Sequence, residues 1–251
     1  VTHYLIADAH LFPEPRPHPG RERLLRFLDD LAGRDPSALW ILGDLFDFWF
    51  EYRSVAPSGH WRILSALREL SDAGWSVRVL PGNHDSWLGG HFADATGAEV
   101  LDDRAVETEM AGRRAVLSHG DGLGAGDLGY RWLLRPVLRS RVSAALFGML
   151  HPDLGRRLAR LFSGTSRRIL RRAAEEMPQG LAGWADETLK TADLVVTAHT
   201  HLPLIRALPG GIHLSLGDWI RSFSWGRVDD CGVALFADGA AVGNAPWSDR
   251  A

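Results

Sequence analysis

The sequence predicts an α/β protein, and three observations carry that reading. Short apolar runs bounded by Gly or Pro read as buried strands. Between the early runs lie two segments with apolar residues at helical spacing. Directly after the runs stand Asp, Asn or His, and open α/β sheets bind ligands at strand ends.

The elements follow in order. Residues 4–7 form a first strand that leads into Asp8-Ala9-His10. Residues 22–31 form a helix with Leu24, Leu25, Phe27, Leu28 and Leu31 as its apolar stripe. Residues 39–42 lead into Gly43-Asp44-Leu45-Phe46-Asp47. A second helix spans 61–70 through Ile63, Leu64, Leu67 and Leu70. Residues 77–80 lead into Pro81-Gly82-Asn83-His84-Asp85, and residues 115–118 into His119-Gly120-Asp121. Residues 194–197 lead into Ala198-His199-Thr200-His201, and residues 212–216 into Gly217-Asp218-Trp219. Residues 130–191 break this rhythm. No run there reads as a strand, and helical spacing recurs at Leu134, Val137 and Leu138, at Leu158, Leu161 and Phe162, and at Ile169, Leu170, Ala173 and Ala174. Pro136, Pro152 and Pro178 punctuate it. One domain over 1–251 with a helical insertion at 130–191 is expected.

Composition bounds the class. Of 251 residues, 45% are hydrophobic and 24% charged, which is ordinary for a globular domain. Cys231 is the single cysteine, so no internal disulfide forms, as suits a reducing compartment. No apolar run approaches the ~20 residues that cross a bilayer. A strand begins almost at once, so no secretory leader is expected and the protein is placed in the cytoplasm. The formal charge of −3 hides an asymmetry. Residues 131–172 hold eleven arginines against Asp153, a charge of +10, leaving 17 basic and 30 acidic residues, or −13, elsewhere.

The segments after the strands suit metal chemistry. Residues i and i+2 share a strand face, so Asp8 with His10, and His199 with His201, are each expected to reach one ion. Asp44 at a neighbouring strand end can bridge two ions, Asn83 offers a neutral carbonyl oxygen and His119 another imidazole. Mixed Asp, His and Asn ligation suits Mn²⁺, Fe²⁺ or Zn²⁺ better than a structural zinc site. Two adjacent divalent ions suit hydrolysis of a phosphate ester or anhydride. His84 beside Asn83 is the candidate proton donor to the leaving group, with Asp85 a candidate to orient it. His3, His18, His60, His91, His151 and His213 are read as solvated or locally bonded. Trp49, Trp87 and Trp219 flank the motifs and are read evenly as packing residues or substrate platforms.

The ordered set resembles the calcineurin-like metallophosphoesterase superfamily, whose pattern is D-x-H, G-D-x-x-D, G-N-H-[DE], H and G-H-x-H. The match runs from Asp8 to His201, with Ala198 in place of the last motif's glycine. It implies a four-layer α/β/β/α sandwich with a helical lid insertion. A narrower resemblance is to the bacterial UDP-2,3-diacylglucosamine pyrophosphohydrolases of lipid A synthesis. Gly43 to Trp49, His119 to Leu123 running on to Asp127 and Tyr130, His201-Leu202-Pro203 and Leu216 to Trp219 carry it. The resemblance implies metal roles for Asp8, His10, Asp44, Asn83, His119, His199 and His201, with two divalent ions, Mn²⁺ ahead of Fe²⁺ or Zn²⁺. It implies substrate contacts for Asp121, Asp127 and Tyr130, and for Ser163, Thr165, Ser166 and Arg167 in the lid. Two departures stand out. His84 occupies a position where the best-known members carry arginine, and Leu123-Gly124-Ala125-Gly126-Asp127 replaces their Leu-Cys-Thr-Asp-Asp run.

The implied reaction converts UDP-2,3-diacylglucosamine to 2,3-diacylglucosamine 1-phosphate and UMP at the cytoplasmic face of the inner membrane, to which the protein would attach peripherally. The basic segment fits: guanidinium forks pair with diphosphate oxygens, and apolar stripes suit acyl chains and an anionic bilayer. An ordinary amphipathic cap with solvated arginines is the plainer reading. A nucleic-acid partner is not expected, because tryptophans and apolar faces border the site. Two alternatives remain: a metal-dependent phosphodiesterase or phosphomonoesterase on another phosphate, and a non-catalytic binding scaffold. The full ligand set argues against the scaffold.

Overall fold

A computed structural model describes residues 1–53, 55–101, 105–123, 140–155, 157–158 and 176–247. The chain begins β1 (His3–Ile6), α1 (Arg21–Ala32), β2 (Ala38–Ile41), α2 (Trp61–Asp72), β3 (Ser76–Val79), α3 (Gly90–Thr96), β4 (Glu99–Val100), β5 (Val106–Met110) and β6 (Arg113–Leu117). It continues through α4 (Arg141–Gly148), α5 (Gln179–Thr188), β7 (Leu194–Thr197), β8 (Pro203–Leu208), β9 (Gly211–Leu216), β10 (Trp225–Asp229), β11 (Gly232–Ala237) and β12 (Ala240–Pro246). Among the described residues these strands form two sheets, ordered β12-β11-β10-β1-β2-β3-β4 and β5-β6-β7-β9-β8. β1 to β4 run parallel, and β10 joins β1 antiparallel, at the register Tyr4 to Arg227.

Alternation of side chains sorts the residues into layers. Tyr4, Ile6, Leu39, Ile41, Val77 and Val79 point to one face of the first sheet, where α1 and α2 cover them with Leu24, Leu28, Leu31, Ile63, Leu67 and Leu70. Leu5, Ala7, Trp40 and Leu42 point the other way and meet Ala115, Leu117, Leu194, Val196, Leu214 and Leu216 of the second sheet. Val116 and Val195 face outward again, against Ala185, Leu189 and Ala192 of α5 and the turn after it. The result is α/β/β/α, as the resemblance implied. It explains why β1, β2 and β7 are almost wholly apolar: each is buried on both faces, and their two polar residues, His3 and Thr197, are paired with Trp40 and His213. Truncating one of these leucines to alanine costs about 2–5 kcal/mol.

α5 lies within the segment from 130 to 191 but serves as a layer of the sandwich, with Leu181 and Ala185 buried. α4 begins at Ser140, whose hydroxyl accepts from the backbone N–H groups of Val142 and Ser143. Asp127, Tyr130, Ser163, Thr165, Ser166 and Arg167, with most of the basic segment, lie outside the described residues. No helix among the described residues is long and apolar enough to cross a membrane.

Candidate metal centre

Five loops leaving neighbouring strand ends meet at one point, and backbone pairing extends past the strands to hold them. Asp8 N–H donates to Gly43 O and His10 N–H to Asp44 O, at 3.0 and 2.8 Å, while Ala198 N–H donates to His119 O at 3.0 Å. The approach is close enough to demand glycine. A Cβ on Gly43, which has φ of +83°, would sit 2.6 Å from His119 Nδ1, and one on Gly82 would overlap the Asp44 carboxylate. Ala198 in the place of the motif glycine is accommodated. It does not adopt positive φ, and it is buried between the sheets.

Asp8, His10, Asp44, His199 and His201 all have left-handed backbones, with φ of 52°, 45°, 52°, 68° and 58°. This corrects the expectation that the two-residue spacing works through the strand pleat. β1 ends at Ile6 and β7 at Thr197, so the ligand candidates lie beyond the strands. Left-handed kinks at alternate residues turn both side chains inward instead. Such backbone is costly for residues other than glycine and concentrates at functional sites.

The side chains converge in three overlapping groups whose ligand atoms lie within 4.8 Å of one another: Asp8, His10 and His201; His10, Asp44 and His84; and Asp44, His119 and His199. Asp44 Oδ2 is 3.6 Å from His10 Nε2 and 3.4 Å from His119 Nε2, the position of a bridging carboxylate. Asn83 Oδ1 is 3.3 Å from His119 Nε2. His10 Nε2 and His201 Nε2 face each other at 3.3 Å. Thus Asp8, His10, Asp44, Asn83, His119, His199 and His201, all predicted from the sequence, come together.

The donor set fits two divalent cations. Asp8 Oδ1 is buried without a hydrogen-bond partner, 3.6 Å from both His10 Nε2 and His201 Nε2. A buried carboxylate oxygen facing two imidazole nitrogens is balanced by a positive charge between them, which a divalent cation would supply. Without one, the cluster holds protons instead. Burial works against a charged His119, yet Asp44 raises its pKa well above the usual imidazole value. Burial likewise opposes charge on Asp44, but His119 and His84 hold its pKa well below the ordinary range. Burial pushes His10 and His199 down.

The surrounding groups set tautomers. His119 Nδ1–H donates to Leu42 O at 2.8 Å, leaving Nε2 for the centre. His84 Nδ1–H donates to Asp47 O at 2.9 Å, and the backbone N–H of His84 donates to Asp44 Oδ1 at 2.8 Å. Asp85 therefore does not orient His84. Its buried carboxylate accepts from the backbone N–H groups of Gly82, Asp44, Leu45 and Phe46 instead, clamping two ligand loops together. Burial and the neighbouring Asp44 charge push the Asp85 carboxyl up to about 6. Asp121 is buried beside His119 and His199 and adds negative potential at both. Sequence reasoning placed Asp218 after a strand but gave it no role at the site; its Oδ2 is 3.1 Å from His201 Nδ1. The signal was there: Leu216-Gly217-Asp218 repeats the pattern of Leu42-Gly43-Asp44. Glu51 was missed. It accepts from the Trp49 indole and from the backbone N–H groups of Gly89, His91 and Phe92, tying the asparagine loop to the Asp44 loop.

Trp49 and Trp219 are buried in the outer core and pack rather than present a platform. Trp87 is half-buried and packs on Phe48, Phe50 and Phe147. Of the remaining histidines, His3, His18 and His213 are buried and hydrogen-bonded, and His60 lies against Phe46 and Trp49. Next to the centre, a cavity of about 220 Å³ is lined by Phe12, Phe48, Phe50, Tyr52 and Val55, with Arg16 and Asp47 as polar lining groups. Phe147 of α4 packs on Phe50 with ring centroids 4.7 Å apart. On the same helix and just past it, Val142, Leu146 and Met149, spaced i, i+4 and i+7, are 68%, 61% and 81% exposed.

Comparison with known proteins follows the same lines. The profile of the calcineurin-like phosphoesterases matches residues 3–204. A UDP-2,3-diacylglucosamine hydrolase of Pseudomonas putida F1 is 35% identical over 246 residues, covering 92% of this chain and 96% of that protein. A UDP-2,3-diacylglucosamine hydrolase of Pseudomonas fluorescens Pf0-1 is 37% identical over 246 residues, covering 92% and 93%. Among solved structures, vacuolar protein sorting 29 of Cryptosporidium parvum aligns with a TM-score of 0.50 at 14% identity, covering 99% of this chain and 98% of that one. At that identity the likeness is one of fold alone.

Proposed function

Because the chain belongs to the calcineurin-like phosphoesterase family, we propose that it is a two-metal hydrolase of a nucleotide-linked lipid diphosphate. The substrate class is that of UDP-2,3-diacylglucosamine, cleaved to 2,3-diacylglucosamine 1-phosphate and UMP. Asp8, His10, Asp44 and His201 would hold one divalent ion, and Asp44, Asn83, His119 and His199 the other. Two such ions supply Lewis acidity at a phosphoryl group and make water acidic enough to attack near neutral pH. Mn²⁺ suits these oxygen and nitrogen donors, with Fe²⁺ and Zn²⁺ next.

The chain's own residues do the rest. Asp44 and Asp8 keep the imidazoles' inner nitrogens directed at one point. His84, fixed through Nδ1 to Asp47 O, presents its other nitrogen as a proton donor to the leaving oxygen. Asp121, beside His119 and His199, is proposed to contact the substrate, and Asp127, Tyr130, Ser163, Thr165, Ser166 and Arg167 to contact it from the lid.

The observation that carries the lipid reading is the aromatic cavity beside the centre. A soluble phosphodiester has no group to fill it, whereas an acyl chain gains about 0.8 kcal/mol per CH₂ removed from water. The exposed apolar stripe of α4, within a segment of charge +10, supports peripheral attachment to an anionic inner-membrane surface, on its cytoplasmic side. His84 favours a second reading, hydrolysis of a phosphodiester with a poor leaving group, because a proton donor helps there most. The test is an Mn²⁺-dependent assay against UDP-diacylglucosamine, a CDP-linked lipid, a phosphatidyl phosphate and a chromogenic phosphodiester. The expected order places UDP-diacylglucosamine first in kcat/KM. Preference for the chromogenic ester, with no response to detergent or liposomes, refutes the lipid reading.

A further inference from the structure

His201 rests its outer nitrogen on a carboxylate. Nδ1 lies 3.1 Å from Asp218 Oδ2, while Nε2 faces Asp8 Oδ1 at 3.6 Å and His10 Nε2 at 3.3 Å. Asp218 is itself held rigidly. Its Oδ1 accepts from the backbone N–H groups of Ile220, Arg221 and Ser222 at 3.0, 2.7 and 3.0 Å, which leaves Oδ2 for the imidazole. Ser222 and Ser224 knit the same turn, and Trp219 N–H donates to Asp8 O at 3.2 Å, so the turn is fastened to the Asp8 loop as well. Asp218 is 2% exposed, so water offers little competition for the bond.

We propose that Asp218 is a positioning residue that locks His201 in the tautomer with Nδ1 protonated and Nε2 bare, making the Asp8–His10–His201 position a metal site. This rests on the two-metal reading above. A carboxylate can only accept, so the proton must sit on Nδ1, and a neutral ring then offers a lone pair at Nε2. An anionic partner also makes the ring a more basic ligand, and losing such a partner costs 10- to 100-fold in metal affinity. The second position has a different support, since His119 rests on the neutral Leu42 carbonyl. Asp218 should therefore act on one ion and not on the other.

The isosteric variant Asp218→Asn is the test. Its amide oxygen can still accept the three backbone N–H groups, but its NH₂ then faces His201 Nδ1. That selects the opposite tautomer and aims an N–H at the site. Calorimetric titration of metal-stripped protein with Mn²⁺ should show two ions bound by the wild type. In Asp218→Asn one should weaken 10- to 100-fold and the other keep its affinity, with the melting temperature of the metal-free protein unchanged. Added to His201→Ala, the same substitution should cause no further loss. Wild-type affinity for both ions overturns the proposal, as does equal weakening of both together with a lowered melting temperature. Wild-type protein that takes up no Mn²⁺ refutes the two-metal reading itself. A second measurement needs no variant: ring ¹⁵N NMR of zinc-loaded wild type should find His201 protonated at Nδ1 and bound through Nε2. A ring bound through Nδ1, or not bound, overturns the assignment.

Discussion

Replacing Leu146 and Met149 together by serine should release the protein from lipid surfaces while sparing its chemistry. The two side chains lie on the outward face of α4 and just beyond its end, 61% and 81% exposed. Each substitution removes about three CH₂ equivalents, or ~2.4 kcal/mol of full burial at ~0.8 kcal/mol per CH₂. Only the exposed fraction is available to a membrane, which reduces the two contributions to about 1.5 and 2 kcal/mol on that scale. Their sum, about 3.5 kcal/mol, is roughly 300-fold in vesicle partitioning. Flotation with anionic liposomes measures it, with Val242→Ser as control, since Val242 is equally apolar and 56% exposed but lies on β12. The arginines of the basic segment act through screened attraction, so wild-type binding should also weaken as salt rises. KM for a long-chain lipid diphosphate should rise, while hydrolysis of a small soluble phosphodiester stays near wild type, because the metal-ligand candidates come from other loops. Unchanged liposome binding, or equal loss toward both substrates, refutes the reasoning.

Further predictions follow from the centre and its supports. Asp44→Ala should lose both ions and all activity together, read by metal content and turnover, because its Oδ2 faces both groups; wild-type activity would disprove the bridging role. Chelation should abolish turnover, and Mn²⁺ should restore it. His84→Ala should keep both ions yet lower kcat by roughly 10²–10⁴ for a poor leaving group, and much less for nitrophenol; equal losses argue against proton donation. Burial, with Arg206 beside it, pushes buried His213 down to about 4. Its ordinary value near 6.5 holds in the unfolded chain, which therefore binds the proton first. The neutral ring's stability is fully present above pH 6.5 and is lost as pH falls toward 4, by about 3 kcal/mol. His213→Gln should flatten that part of the denaturation profile, and an unchanged slope would show that other groups carry it.

Much of the sandwich was legible because its central strands are buried on both faces. β1, β2 and β7 have polar residues only at the first position of β1 (His3) and the last of β7 (Thr197), and each strand ends within a residue of a motif. The peripheral strands gave no such signal. β5 reads Val-Glu-Thr-Glu-Met with two exposed glutamates, and β12 is built largely of alanine and glycine. Their place in a sheet comes from hydrogen bonding to β6 and β11, not from their own composition. α3 is seven residues long, too short for a helical stripe, and is held by Glu51.

By itself, the order of residues determined the donor chemistry: which carboxylates, imidazoles and amide stand after which apolar runs. That inventory is local, since each motif adjoins the strand that delivers it, and so it survives reading one segment at a time. Tertiary structure alone decided how the donors meet. The left-handed turns at Asp8, His10, Asp44, His199 and His201 exist only because pairing between loops compensates their strain. Asp85 clamps loops about 40 residues apart in sequence, and Asp218 reaches His201 from the end of another strand. Orientation and tautomer depend on partners distant in the chain, and no single segment encodes its partner's position.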